Sequence, residues 1–280
     1  MTLKILPPLP AGACDCHMHV FDDRYPIVPG AQPVPAASVA EYRVVQAWLG
    51  TTRTVVVAPS TYGLDNRCTL AALAELGPQA RAVVALAPDV AEAELERLHT
   101  AGVRGVRLNL ARGRSTPFDT LAPLAERIAP LGWHVQVMMT PAQLYEHGEA
   151  LGRLPARLVI DHMARIPQDD GVDSPAYAVL RRLVDAGNTW VKLSLASSAQ
   201  LIGTPREPVL HALGRALVQA APQRMLWGSD WPHVLAIQEG KSQPSDASML
   251  ALLLDWVPGD AGRRAILADT PAELYGFAAA

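Results

Sequence analysis

The chain has 280 residues, half of them apolar, with a formal charge of -3 and a pI near 6.2. That length suits one large domain with a sizeable core, and the mildly acidic balance argues against a general nucleic-acid or membrane-surface binder. The three cysteines, Cys14, Cys16 and Cys68, are odd in number and lack Cys-x-x-Cys spacing, which argues against a disulfide framework and for a reducing cytoplasm.

The prolines near the N-terminus interrupt any signal-peptide core, and no apolar run approaches membrane-spanning length. Strand-like apolar runs are predicted at residues 13–21, 53–59, 81–87, 103–110, 134–139, 157–163, 189–195 and 224–231. Several are near-continuous in Val, Leu and Ile, as parallel strands buried on both faces are. Amphipathic helices are predicted between them. Residues 90–99 place Glu92, Glu94 and Glu96 at the front and end before Gly102, which suits the helix dipole and a glycine exit. Residues 119–131, 175–186 and 207–220 read the same way, with Gly132 and Gly187 at cap positions. Alternation of strand and helix through the chain predicts a parallel α/β fold, and eight repeats favour a closed (β/α)8 TIM-like barrel over residues 1–280 as a single domain. The longest loops, at 22–37, 111–117, 164–174 and 232–245, all leave C-terminal strand ends, the face that carries active sites in barrels.

Chemistry concentrates at those ends. In Asp15-Cys16-His17-Met18-His19, strand alternation predicts that Asp15, His17 and His19 share one face. Two imidazoles so placed can hold one metal ion or polarise one carbonyl. His162 ends the sixth run and is expected to converge on the same mouth, whereas Asp161, of opposite parity, is expected to anchor a helix or to hydrogen-bond outside the barrel. Asp230 ends the eighth run, where a carboxylate can take a proton from water or bind a metal. His233, three residues on, is either a partner that orients Asp230 or a loop residue. Arg107 and Asn109 share a face of the fourth run and suit a polar or anionic substrate group. Tyr62, Asp65 and Asn66 follow the second run as candidate mouth residues. Lys192 is read as an ion-pair partner inside the barrel and is left out of the catalytic set. His99, His147 and His211 fall in helical stretches, and His134 begins a strand at the opposite end.

With these residues in view, the chain resembles the amidohydrolase superfamily, in the branch of lactone hydrolases that contains 2-pyrone-4,6-dicarboxylate lactonase. The resemblance rests on Asp15-Cys16-His17-Met18-His19-Val20-Phe21, Gly63-Leu64-Asp65-Asn66-Arg67, residues 101–107, Leu131-Gly132-Trp133-His134-Val135, Asp161-His162-Met163 and Leu226-Trp227-Gly228-Ser229-Asp230-Trp231-Pro232-His233. It implies a distorted β/α barrel that hydrolyses a small-molecule ring ester, with Asp230 as the base that activates water. It implies that His17, His19 and His162 polarise the lactone carbonyl, with no cofactor required, or that with Asp230 they bind one divalent ion such as Zn2+. The bridging lysine of binuclear members does not appear. The chain departs from the dicarboxylate pattern at Pro33, Gly113, Met138-Met139 and residues 196–200, where the resemblance leads one to expect basic or hydroxyl groups, with Arg112 and Arg114 as compensating candidates. A less charged lactone is the expected substrate. The alternatives on the same barrel are a mononuclear metal-dependent amidohydrolase or decarboxylase, and a sugar-lactone isomerase. Nothing in the sequence specifies an oligomeric state.

Overall fold

The computed structural model describes residues 6–112, 117–166, 170–194 and 201–278. Eight parallel strands pair in chain order: β1 (Cys14–Met18), β2 (Arg53–Val57), β3 (Ala80–Val84), β4 (Val103–Asn109), β5 (His134–Met138), β6 (Arg157–Ile160), β7 (Thr189–Lys192) and β8 (Met225–Leu226). Helices cross between them: α1 (Val39–Leu49), α2 (Arg67–Leu76), α3 (Glu92–Ala101), α4 (Leu121–Ile128), α5 (Pro141–Gly152), α6 (Pro175–Asp185) and α7 (Glu207–Ala220). The expected barrel is therefore present, with all eight predicted runs forming strands. After β8 come α8 (Val234–Gln238), α9 (Asp246–Trp256), α10 (Asp260–Arg264) and α11 (Thr270–Tyr275). The helix α8 lies inside the stretch 232–245 expected as loop. No helix among the described residues is long and apolar enough to cross a membrane.

Local chemistry explains many of the boundaries. Ser38 starts α1 and Thr140 starts α5 through reciprocal capping boxes with Glu41 and Gln143. Gly50 and Gly102 end α1 and α3 in the left-handed region, where a side chain is strained. Strand alternation then sorts the side chains into two layers. Val106, Leu108, Val135 and Val137 pack outward in the helix-facing core, while Val55, Val57, Val83 and Val159 fill the barrel interior with Cys14, Cys16 and Tyr275. Gly105 opens room for His134 on the neighbouring strand, since a Cβ there would meet the imidazole ring at 2.4 Å.

β8 is only two residues long and makes no regular ladder with β1. The ring is closed instead by the chain that follows β8: Cys16 N donates to Trp227 O, Asp230 N to His17 O and His19 N to Trp231 O, at 2.8–2.9 Å. One buried carboxylate completes the seam. Asp15 Oδ1 accepts from Ser229 N and His17 N at 2.9 and 3.1 Å, and Oδ2 accepts from Ser229 Oγ and Tyr42 Oη at 2.6 and 3.0 Å. Burial pushes this carboxyl up to about 6, against the opposing pull of its donors.

Two predictions follow from barrel closure and from the buried base of the barrel. Asp15→Ala strands the Ser229 and Tyr42 donors, and is expected to lose on the order of 3 kcal/mol in urea denaturation, against about 1 for Ser229→Ala. Burial, aided by the charge of Lys192, holds His134 down to about 3. As pH falls from about 6.5, the unfolded chain takes that proton first, so the contribution to stability is full above 6.5 and drains toward pH 3. Melting temperature followed against pH should fall less steeply through that window in His134→Phe than in wild type.

Candidate active site

At the C-terminal end of the barrel, His17, His19, His162 and Asp230 are all buried and converge. The Nε2 atoms of His17 and His19 lie 3.3 Å apart, and each is 3.5 Å from Asp230 Oδ1. His162 Nε2 stands 4.0 Å from the same oxygen. Burial alone would raise the Asp230 carboxyl, but the rings of His162, His19 and His17 outweigh it and hold the group well below the usual carboxylate range. Asp230 is thus ionised at neutral pH. Burial lowers His162 and His17.

Each ring is held from behind. His19 Nδ1 is 2.7 Å from Val57 O, an acceptor only, so Nδ1 carries a proton, and in the neutral ring Nε2 carries the lone pair. His162 Nδ1 is 2.6 Å from Ser194 Oγ. Beneath His17 lies a buried charged layer. Arg107 Nε and Gln136 Nε2 donate to Asp161 Oδ2 at 3.0 and 3.1 Å, and Lys192 Nζ donates to Gln136 Oε1 at 2.7 Å. Burial lowers Lys192 to about 8; burial would raise Asp161, but the Arg107 guanidinium and the Lys192 ammonium hold it far below its ordinary value.

Above this floor is an open pocket that exposes polar and apolar groups together. Its floor carries His19, His162 and Asp230, and its walls include Arg107, Asn109, Met138, Arg165 and Leu235. His17 has no exposed surface and sits under the floor. Arg165 was not singled out by sequence. It lies three residues beyond His162 with φ 52°, and has no acidic partner among the described residues. Its position within the predicted loop 164–174 was the available signal.

Several placements correct the sequence reading. Asp15 does not share the face of His17 and His19. The β1–β2 register shifts between Asp15 and Met18, so Asp15 turns to Tyr42 of α1 while His17 turns inward. Asp161 does not point out of the barrel. It keeps the inward parity of Val159, and His162 also points in because the backbone turns left-handed from residue 162 to 165. Asp230 is likewise beyond its strand, at φ 62°. Tyr62 is buried beside the loop after β1, with its Oη receiving Asp22 N at 2.9 Å, and does not line the pocket. Asn66 braces the chain through Ala85 N and O at 2.9 and 2.8 Å, also away from the pocket, and the carboxylate of Asp65 pairs with Arg67 beside it. His233 Nε2 lies 3.0 Å from Asp246 Oδ1 and its N donates to Asp230 O, so it ties α9 to the Asp230 turn from outside the wall. Lys192 is inside the barrel as expected, 3.9 Å from Asp161 Oδ1. His99 and His211 accept from Trp133 and Trp256 at 2.9 and 3.0 Å, and His147 stacks on Phe118. The Arg112 side chain, Gly113, Arg114 and residues 196–200 lie outside what is described.

The donor set fits a metal ion. Tetrahedral zinc with N and O ligands at about 2.0–2.1 Å separates its ligand atoms by about 3.4 Å, close to the 3.3–3.5 Å spacing of His17 Nε2, His19 Nε2 and Asp230 Oδ1. His17, His162 and Asp230 also offer ligand atoms within 4.8 Å of one another. The carbonyl behind His19 is the backing that metal-ligating imidazoles take.

Comparison with known proteins agrees with this architecture. The amidohydrolase family model matches residues 14–277. The chain is 36% identical over 286 residues to a 2-pyrone-4,6-dicarboxylate hydrolase of Comamonas testosteroni, covering 95% of this chain and 91% of that protein. It is 32% identical over 272 residues to a D-galactarolactone isomerase of Agrobacterium fabrum (strain C58 / ATCC 33970), covering 96% and 92%. An apo crystal structure from Agrobacterium tumefaciens superposes with a TM-score of 0.86 at 30% identity, over 98% of this chain and 99% of that one.

Proposed function

This chain belongs to the amidohydrolase family, and on that premise we propose that it is an enzyme that opens a lactone ring by hydrolysis. The observation that carries the reading is an ionised, buried carboxylate, Asp230, on the floor of an open pocket with three imidazole Nε2 atoms 3.5–4.0 Å away. A lactone carbonyl is placed against the histidine cluster, His162 foremost, because Ser194 Oγ at its Nδ1 can leave Nε2 with the proton. Asp230 takes a proton from the attacking water and returns it to the leaving ring oxygen. His17, below the floor, supports His19 and Asp230. A divalent ion held by His17, His19, His162 and Asp230 would supply Lewis acidity to the carbonyl.

Polar groups in the wall narrow the substrate. Arg107 is already neutralised by Asp161 at 3.0 Å, which leaves Arg165 to meet an anionic substituent. Asn109 donates to Ser60 Oγ at 3.4 Å, and its buried Oδ1 has no partner among the described residues, so it suits a hydroxyl on the substrate. Met138 in the wall offers no second charge. The described wall residues therefore suit a lactone with one anionic group and hydroxyls.

A second reading, isomerisation of a sugar lactone on the same groups, is favoured by the likeness to the galactarolactone isomerase. Product analysis of a lactone panel by NMR separates the two, hydrolysis giving a ring-opened acid and isomerisation a lactone of unchanged mass. Asp230→Asn is expected to lower kcat by about 10² or more with the melting temperature little changed; near-wild-type turnover would remove Asp230 from its role. Arg165→Ala is expected to raise KM roughly tenfold or more for carboxylated lactones and to leave KM for neutral ones unchanged, measured side by side on matched substrates.

A further inference from the structure

His17 Nδ1 faces two groups of opposite demand. Lys192 Nζ is 3.2 Å away in hydrogen-bond geometry, and Asp161 Oδ1 is 3.4 Å away. An ammonium only donates and a carboxylate only accepts, so Nδ1 can satisfy one of them at a time. Gln136 fixes the orientation of the lysine. Its Oε1 receives Lys192 and its Nε2 donates to Asp161 Oδ2, and the reversed amide would set NH2 against an ammonium and oxygen against a carboxylate. Asp161 Oδ2 thus has two donors, Gln136 and Arg107, while the buried Oδ1 has none in hydrogen-bond geometry among the described residues.

The other side of the ring gives the same answer independently. In the neutral ring, His19 Nε2 carries a lone pair because the Nδ1 proton is committed to Val57 O. At 3.3 Å from it, His17 Nε2 makes a favourable contact only if it holds a proton.

We infer that Lys192, oriented by Gln136, is a positioning residue that holds His17 as an Nε2–H donor, so that a proton occupies the place a divalent ion would take between His17, His19 and Asp230. For His17 to become a ligand, the ring proton must move to Nδ1, where Asp161 Oδ1 is the waiting acceptor. Lys192 thereby opposes ion binding, and Asp161 supports it. The inference deepens the hydrolytic reading only in what His17 presents to the site; the tautomer itself is defined without substrate.

The test is made on the full-length, chelator-treated protein labelled with ¹⁵N-histidine. Long-range ¹H–¹⁵N spectra are expected to show the His17 ring in the Nε2–H form in wild type, assigned by its loss in His17→Asn. In Lys192→Met, and in Lys192→Gln as the better-tolerated polar variant, that ring is expected to change to Nδ1–H. Zn2+ affinity by calorimetry should tighten about tenfold or more in the same variants, and kcat on an active lactone should change more than KM. An Nδ1–H ring in wild type, or an unchanged tautomer and Zn2+ affinity in folded Lys192 variants, overturns the inference. If the lactone panel is silent while the tautomer shifts as described, the hydrolytic reading fails and the role of Lys192 stands.

Discussion

A single buried carboxylate makes the rest of the molecule possible. Seven ladders hold eight strands in order, but the eighth seam has no ladder. It is sewn by three backbone hydrogen bonds and by Asp15, whose two oxygens take four donors from β1, α1 and the turn after β8. A buried carboxylate is costly, and complete hydrogen bonding is what offsets it. The same seam sets the chemistry, because the chain clasped to β1 is the chain that carries Asp230. Gly228 lets the two approach so closely, since a Cβ there would lie 2.6 Å from that of His17.

Below the floor the molecule holds charge rather than excluding it. Arg107, Lys192 and Asp161 are all buried and are linked through Gln136. Lone buried charges would be expelled or neutralised, but a connected set is held in place by its own geometry. The result is a connected polar layer under His17. Above it the described pocket walls carry few charges, and among those residues Arg165 is without an acidic partner.

The barrel was legible because its signals are periodic. Val/Leu/Ile runs recur with capped helices between them, and no tertiary contact is needed to read that rhythm. The strand-end polar residues were legible for the same reason: His17, His19, His162 and Asp230 lie at or just beyond the ends of apolar runs. Errors entered where the period broke. The shift in β1 separated Asp15 from His17, and the left-handed turn after Ile160 brought Asp161 and His162 to the same side. Tyr62 and Asn66 were drawn to the mouth by their place after β2, but their partners at Asp22 and Ala85 are near only in the folded chain. Arg165 carries no pattern of its own and became visible only as a side chain in the pocket wall.

By itself, then, the sequence determined the parallel barrel, its closing count of eight and the four polar groups that converge at the C-terminal strand ends, because those follow from local spacing of apolar and polar residues. Only the tertiary structure decided which atoms of those groups meet. The distance from His17 Nδ1 to Lys192 spans 175 residues of chain, and that from Asp15 to Ser229 spans 214. Such contacts are set by how the layers close on one another, and whether a histidine offers a proton or a lone pair depends on the partner behind it, which no local pattern encodes.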